Sequence, residues 1–292
     1  MGETDRGNPG GAFIIRLLLE EPCALPPQQF MQDVMERHFN QVPCVSYSDG
    51  LASFAPLQYR LAYEGDKTVP PQLLILKCIE ISEPVLDELE LTQLWDGTEG
   101  RQILERCRYQ LVASDLLGTG LESKERAQML VDFIEALAEM FPSCRAFVFE
   151  NSKKLRTRAD ILNCELPKAE RFIHYAVNTR FFRIEGTEDM LVDTLGMSAL
   201  FLPDLQYHFH GLEPGAVVDH ARGLLSYLLR QENEIQSGDW IDGLSKGRLS
   251  RDVPWRLQYE DALLPPEREV IDVNPGEYAS GQRHKEEETE PF

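Results

Sequence analysis

The sequence lacks any long apolar run. A transmembrane helix needs about 18 consecutive, mostly apolar residues, whereas residues 12–19 (AFIIRLLL) form only a strand-length run that contains Arg16. Residues 1–11 (MGETDRGNPGG) are polar and rich in glycine, unlike the basic and apolar parts of a signal peptide. These features predict a cytosolic protein with a flexible N-terminus over 1–11 and no membrane partner.

Basic residues are scarce relative to acidic ones. The 292-residue chain has 29 Lys and Arg against 49 Asp and Glu, which gives a formal net charge of −20. This charge repels the phosphates of nucleic acids and anionic lipids, so we expect neither as a partner. It keeps a protein soluble, and it is also compatible with a partner protein that carries positive charge.

Closely spaced cysteine pairs and several common functional motifs are also missing. The six cysteines form no C-x-x-C pair, which predicts reduced, mostly buried thiols. The sequence contains no G-x-x-x-x-G-K-[ST], G-x-G-x-x-G or H-E-x-x-H motif. The usual signatures of nucleotide-binding proteins and zinc proteases are therefore absent.

Two strongly amphipathic segments stand among many short apolar runs. Residues 122–141 and 214–230 carry apolar side chains at i, i+3, i+4 and i+7, which predicts helices. Further helices are expected at 27–40 and 99–106. Strands are expected at 12–20, 50–55, 59–64, 72–80, 107–114, 145–150, 180–186, 190–195, 198–202 and 205–210. Because many connections are too short for parallel crossovers, we predict an α+β fold of mainly antiparallel sheets packed with amphipathic helices.

The domain organisation is expected to be simple. We predict one globular unit over 12–275, with a soft internal boundary near 95–105 and a polar loop over 233–252. Residues 276–292 end in a run of glutamates and are predicted to form a disordered acidic tail. A weak internal sequence similarity is compatible with two related halves.

Residues 202–214 (LPDLQYHFHGLEP) concentrate side chains that can do chemistry. Alternate residues of a strand share a face, so Asp204, His208 and His210 should lie together. Two imidazoles at this spacing can bind one divalent metal ion, and Asp204 or Glu213 can supply a third ligand or a general base. The alternatives are a proton-transfer or ligand-contact site, and an ordinary half-buried strand with its polar face in water.

A second group of candidates is basic. Four cations lie close together in an acidic chain: Lys153, Lys154, Arg156 and Arg158. They can hold a small anion or an acidic patch of a partner protein. The other interpretation is a solvated loop that balances local acid. Outside this group, Asp193 lies in an apolar run where a carboxylate needs a partner, and His220 is expected to be a hydrogen-bonded residue at the edge of a helix.

Several runs of the chain resemble one family. The runs are 182–187 (FRIEGT), 190–200 (MLVDTLGMSAL), 202–214 and 259–272 (YEDALLPPEREVID), with shorter ones at 94–96 (LWD) and 107–109 (CRY). They resemble the bacterial domain-of-unknown-function family 4261. The resemblance implies a bacterial cytosolic protein, and it brings no activity that can be assigned to named residues.

Charge, missing catalytic motifs and cytosolic character together favour a non-enzymatic, acidic protein-binding module of accessory or immunity type. One alternative is a metal-assisted hydrolase that uses a divalent ion bound by His208 and His210. Another is a small-anion binder at the basic residues of 153–158.

Overall fold

The structure is a computed structural model, and it describes residues 12–62, 67–94, 99–231 and 235–281. The predicted flexible N-terminus over 1–11 and residues 282–292 of the predicted tail lie outside the described residues. None of the helices in the described ranges is long and apolar enough to cross a membrane. The six cysteines form no disulfide; Cys107 and Cys144 are buried, and the other four are half-buried.

Helices and strands alternate along the described chain. The helices are α1 (Gln28–His38), α2 (Glu88–Thr92), α3 (Gly100–Arg106), α4 (Ser123–Met140), α5 (Arg158–Leu162), α6 (Lys168–Ala176) and α7 (Pro214–Gln231). The strands are β1 (Ile14–Leu19), β2 (Cys44–Tyr47), β3 (Leu51–Phe54), β4 (Leu61–Ala62), β5 (Thr68–Val69), β6 (Gln72–Leu76), β7 (Ile79–Glu80), β8 (Tyr109–Leu116), β9 (Ala146–Phe149), β10 (Lys154–Thr157), β11 (Asn178–Arg183), β12 (Met190–Leu195), β13 (Asp204–Phe209), β14 (Trp240–Ser245), β15 (Arg248–Asp261) and β16 (Glu269–Asn274). This composition confirms the predicted α+β class.

The chain divides into two compact units. The first holds Met1–Asn178, Leu195–Pro203 and Ser226–Asn233, and the second holds Thr179–Thr194, Asp204–Leu225 and Glu234–Phe292. The sequence predicts one unit with a soft boundary near 95–105, of which 95–98 lie outside the described residues. The observed division instead follows the two large sheets, because each sheet buries its own set of apolar side chains.

An eight-stranded sheet forms the centre of the first unit. Its order is β10-β9-β1-β8-β6-β3-β2, and β7 also pairs with β8. All these pairings are antiparallel. Leu17, Leu111 and Phe147 are fully buried on neighbouring strands. On β1 the next residue, Leu18, belongs to a second buried cluster with Val148.

Helix α4 packs against α1, α5 and α6 in the same unit. Its apolar stripe agrees with the predicted one, and Leu130, Ile134 and Leu137 are fully buried. Asp132, a charged residue between the apolar positions of this helix, is also buried, because α6 covers this side of α4 and its Lys168 pairs with the carboxylate.

A six-stranded sheet, in the order β11-β12-β13-β16-β15-β14, forms the centre of the second unit. β13 and β16 are parallel, whereas the pairs β12–β13, β15–β16 and β14–β15 are antiparallel. Leu205, Tyr207 and Phe209 are fully buried on β13. The first turns of α7 supply Val217 and Ala221 to the core.

The predicted polar loop over 233–252 is instead largely occupied by a β-hairpin of β14 and the start of β15. Lys246 and Gly247 form its two-residue turn, with φ values of 51° and 73°. Positive φ at both positions is typical of the type I′ turn that suits a hairpin. The turn is Lys-Gly rather than the common Asn-Gly, which explains why the sequence pattern did not reveal it.

Residues 197–200 form a 3₁₀ turn, so the strand predicted at 198–202 is wrong. Gly196 (φ 131°) and Phe201 (φ 57°) bracket the turn with backbone angles that a strand does not allow. The weak internal similarity is between residues 196–207 and residues 50–59, and the latter contain strand β3. The two segments therefore do not share a structure.

The first residues of the predicted tail are ordered. Gly276–Tyr278 form a 3₁₀ turn, and Ser280 is 4% exposed. The backbone N–H of His210 donates to Tyr278 O at 2.9 Å, and that of Ser280 donates to His208 O at 3.0 Å. These hydrogen bonds hold this part of the chain against the end of β13.

Candidate functional site

Strand β13 carries the residues that the sequence singled out. Two of its polar side chains are buried as well as its apolar ones: Asp204 is 2% exposed and Gln206 is 1% exposed. The expectation of a polar face in water is therefore wrong for these residues. β13 lies between β12 and β16, and the segment 262–268 covers its polar face, where the backbone N–H of Leu263 donates to Gln206 Oε1 at 2.7 Å.

Asp193 is the centre of a buried ion network on the same sheet. Arg180 donates to both of its carboxylate oxygens, from Nε at 2.8 Å and from Nη2 at 2.5 Å. Arg268 Nη2 donates to Asp193 Oδ2 at 2.9 Å. The partner that a buried carboxylate requires is thus supplied by two arginines, which lie 13 and 75 positions away in the sequence.

The network continues to Asp204. Arg268 Nε lies 3.7 Å from Asp204 Oδ2, and Thr194 Oγ1 donates to Asp204 Oδ1 at 3.1 Å. Arg268 Nη1 also donates to the carbonyls of Leu264 and Pro266 at 3.0 and 2.9 Å. Asp204 therefore helps to hold the covering segment in place, and its carboxylate is not open to a substrate.

His208 and His210 are connected through two residues that sequence reasoning missed. His208 Nε2 lies 3.7 Å from Asp189 Oδ2, and His210 Nδ1 lies 3.0 Å from Ser280 Oγ. Ser280 donates its hydroxyl proton to Asp189 Oδ1 at 2.8 Å, so its oxygen accepts from His210. In a catalytic triad with a serine nucleophile, the histidine lies between the serine hydroxyl and the carboxylate. Here the serine lies between them, so this order does not activate Ser280.

Metal-ligand geometry occurs elsewhere in the chain. Within the described ranges, three ligand atoms lie within 4.8 Å of one another only at His38, Asp132 and Glu135. Glu213 caps helix α7 by accepting the backbone N–H of Ala216 at 2.8 Å. The predicted site at His208 and His210 thus has no third ligand at that distance, and metal binding there stays a prediction.

The group around His38 is an ion-pair network. Lys168 pairs with Asp132, and Arg171 Nη1 lies 2.7 Å from Glu135 Oε1. Burial raises the pKa of the Asp132 carboxyl, and the hydrogen bond from Lys168 opposes this rise. Because cations of the chain already neutralise both carboxylates, a metal ion would have to displace them.

His220 joins a buried aromatic cluster. Its ring lies against Trp255, with centroids 4.8 Å apart, and its Nδ1 lies 2.9 Å from the Tyr207 hydroxyl. Its Nε2 lies 2.9 Å from the carbonyl of Asp242, which can only accept, so Nε2 carries the proton and Tyr207 donates to Nδ1. Burial lowers the pKa of His220. The expected hydrogen-bonded histidine is found, deeper in the fold than an edge position.

The four basic residues of 153–158 do not form one solvated loop. Lys154 and Arg156 lie on strand β10 and are 3% and 8% exposed. Lys153 pairs with Glu150 at 2.6 Å. Arg156 Nε donates to the carbonyl of His174 at 3.0 Å, and Arg158 Nε donates to that of Ala138 at 2.7 Å. These carbonyls lie in the last turns of α6 and α4, where unpaired carbonyls attract cations.

The β14–β15 hairpin carries two of the most exposed apolar side chains. Trp240 is 64% exposed and Leu249 is 66% exposed. Because the sequence predicts a polar loop over 233–252, it gave no expectation of exposed apolar side chains on a hairpin there. Trp240 lies directly across from Arg256 on β15, and Leu249 lies across from Leu244 on β14.

Residues 193–274 match the family model described as Domain of unknown function (DUF4261). The match confirms the resemblance over β13, α7 and the strands β14 to β16, with their connections. The runs at 94–96, 107–109 and 182–187 lie outside the matched residues. No curated protein and no solved structure matches the chain.

Proposed function

We propose, from the match of residues 193–274 to a family of unknown function, that this protein is a cytosolic, non-enzymatic protein-binding module. Its contact surface is the β14–β15 hairpin. The observation that carries this proposal is Trp240, whose side chain is 64% exposed on β14. Large aromatic side chains contribute much of the binding energy of protein interfaces, and covering one removes apolar surface from water.

The position of Trp240 in the sheet supports docking by an extended segment. β14 is the last strand of the six-stranded sheet, so no strand of the described chain pairs with its outer edge. Such an edge offers backbone N–H and C=O groups to a strand of another protein. Leu249, opposite Leu244, lies four positions along the hairpin from Trp240, about 13 Å at the rise of a strand. The hairpin thus offers two apolar anchors.

The charge of the hairpin indicates the chemistry of the partner. Residues 240–256 carry four cations (Lys246, Arg248, Arg251 and Arg256) and two acids (Asp242 and Asp252) in a chain with net charge −20. The side chain of Arg251 is 93% exposed. Opposite charges attract across an interface and speed association. We therefore expect an extended, acidic segment, whereas the charge of the whole chain suggested a basic partner.

The test starts with affinity capture from an extract of the native host, using the wild type, Trp240→Ala and Phe30→Ala. Phe30 is the matched control, because it is an exposed aromatic (44%) on α1 in the first unit. A captured protein is then purified and titrated. We expect Trp240→Ala to weaken its binding about tenfold or more, and Phe30→Ala to leave the affinity unchanged.

A second variant tests the charge of the partner. Arg248→Glu together with Arg251→Glu should slow association, because the hairpin then repels an acidic segment. The proposal is overturned if no captured protein depends on Trp240, or if the purified partner binds the wild type and Trp240→Ala equally.

A further inference from the structure

The first unit contains a groove beside helix α3 that the proposed function does not use. Its volume is about 450 Å³, and three arginines and two glutamates line it: Arg106, Arg145, Arg158, Glu20 and Glu99. Sites for small molecules have volumes of about 300–1,000 Å³. The groove is therefore large enough for a small organic molecule.

The arginines of the groove have unused donors. The side chain of Arg106, at the end of α3, makes no hydrogen bond or ion pair with any residue in the described ranges. Arg158 donates from Nε to the Ala138 carbonyl, and its two terminal nitrogens have no partner among the residues that the structure describes. Arg145 is held by Glu20, with Nε 3.2 Å from Oε1. A guanidinium whose stem is fixed and whose terminal nitrogens are available is suited to a phosphate or carboxylate.

The charge balance of the groove also favours an anion. Glu20 is neutralised by Arg145, so Arg106 and Arg158 face one remaining acid, Glu99. The groove is thus net positive in a chain whose formal net charge is −20. Glu99 precedes α3, and its side chain makes no capping hydrogen bond to that helix.

We propose that this groove binds a small organic molecule with an oxyanion group, a phosphate ester or a polycarboxylate. Arg106 and Arg158 donate hydrogen bonds to the anionic group, and Arg145 adds positive charge beside them. The sequence pointed to an anion site among four cations of 153–158. Only Arg158 of those four belongs to this groove, and its arginine neighbours are Arg106 of α3 and Arg145, the residue before β9.

The probes are pyrophosphate and citrate, titrated into the full chain by calorimetry at constant ionic strength, with chloride as the reference anion. We expect saturable binding of at least one probe, and the tighter one identifies the oxyanion class. Arg106→Gln should weaken binding about tenfold or more, because it removes a charge-assisted hydrogen bond. Glu99→Gln should tighten binding, because it removes a like charge.

Arg101→Gln is the matched control. Arg101 is exposed on the same helix and lines a different cavity, so its removal changes the net charge equally without touching the groove. Its affinity for the probe should equal that of the wild type. The proposal is overturned if neither probe binds saturably, if Arg101→Gln weakens binding as much as Arg106→Gln, or if Glu99→Gln weakens it.

Discussion

His220 connects α7 to strands β13 and β14 through two hydrogen bonds that need a neutral imidazole. It accepts from the Tyr207 hydroxyl and donates to the Asp242 carbonyl. A protonated ring would leave Tyr207 with no acceptor at this position and would place a charge beside Trp255. The stability of this part of the second unit therefore depends on the protonation state of His220, and so on pH.

The stability of the second unit should fall in mild acid because of His220. Burial lowers the pKa of this group below 6.5, so below pH 6.5 the unfolded chain binds a proton that the folded chain does not. The free energy of unfolding therefore decreases as pH falls from 6.5 through the folded-state pKa. The decrease is about 1.4 kcal/mol for each pH unit by which the pKa values of the folded and unfolded chains differ. Urea unfolding followed by tryptophan fluorescence, at about pH 7.5 and about pH 5.5, measures this loss.

His220→Gln is the comparison variant, because glutamine can also accept from Tyr207 and donate to Asp242 but does not titrate. The loss between the two pH values should be smaller in this variant. Equal losses in the two proteins would contradict the role assigned to His220.

Two glycines should respond to alanine in opposite directions. A Cβ at Gly243 would lie 2.5 Å from Trp255 Nε1, whereas a Cβ at Gly223, on the exposed side of α7, has no heavy atom within 4 Å. Gly243→Ala should lower the free energy of unfolding by about 1–3 kcal/mol through overpacking. Gly223→Ala should raise it by about 0.5–1 kcal/mol, because alanine is the better helix former. Urea midpoints test both, and a neutral Gly243→Ala would contradict the tight packing on Trp255.

At the scale of elements, the segment 262–268 covers the polar face of the six-stranded sheet. Arg268 holds it by binding Asp193 and the Leu264 and Pro266 carbonyls together. Arg268 is buried, with 4% of its side chain exposed. The position of the segment therefore depends on the Arg268 guanidinium, whose hydrogen-bond acceptors come together only in the folded sheet.

Arg268→Gln should lower the free energy of unfolding by about 3 kcal/mol, because it leaves buried carboxylates without one of their cations. It should also speed hydrogen exchange at the Leu263 amide, which is bonded to Gln206 in the wild type. Glu267→Gln changes the exposed neighbour and should alter neither quantity. Stability and exchange rates like those of the wild type in Arg268→Gln would show that the network does not hold the segment.

The elements were predictable where one periodic pattern dominated. Helices α4 and α7 agree with the predicted spans, because their apolar stripes fix both the type and the buried face. The hairpin at 240–261 was missed because its Lys-Gly turn is not a common hairpin signal. The strand at 154–157 was missed because its cationic side chains, Lys154 and Arg156, are buried. The sequence could not show that Asp189 and Ser280 lie beside the histidines. These two residues are 91 positions apart, and no short-range pattern links residues at that separation.

At the scale of the whole molecule, the net charge of the chain is opposite in sign to the charge of its two candidate binding surfaces. The chain has a net charge of −20, yet its most exposed tryptophan in the described ranges lies on a basic hairpin, and its α3 groove is lined by three arginines. The total charge describes the average field, which repels nucleic acids. A binding surface responds to the few charges within about 10 Å, because salt screens the rest. Each unit therefore has a surface whose sign opposes that of the chain.

The sequence by itself determined the α+β class, the two long helices, the resemblance that the match over 193–274 confirms, and the absence of a helix that could cross a membrane in the described chain. Only the tertiary structure decided that Asp204 is buried, that Arg156 donates to a carbonyl in the last turn of α6, and that Trp240 is exposed. The physical reason is that helix formation follows local periodicity, whereas burial depends on what distant parts of the chain place over each side chain. Arg268, for example, is 75 positions from the Asp193 that it neutralises.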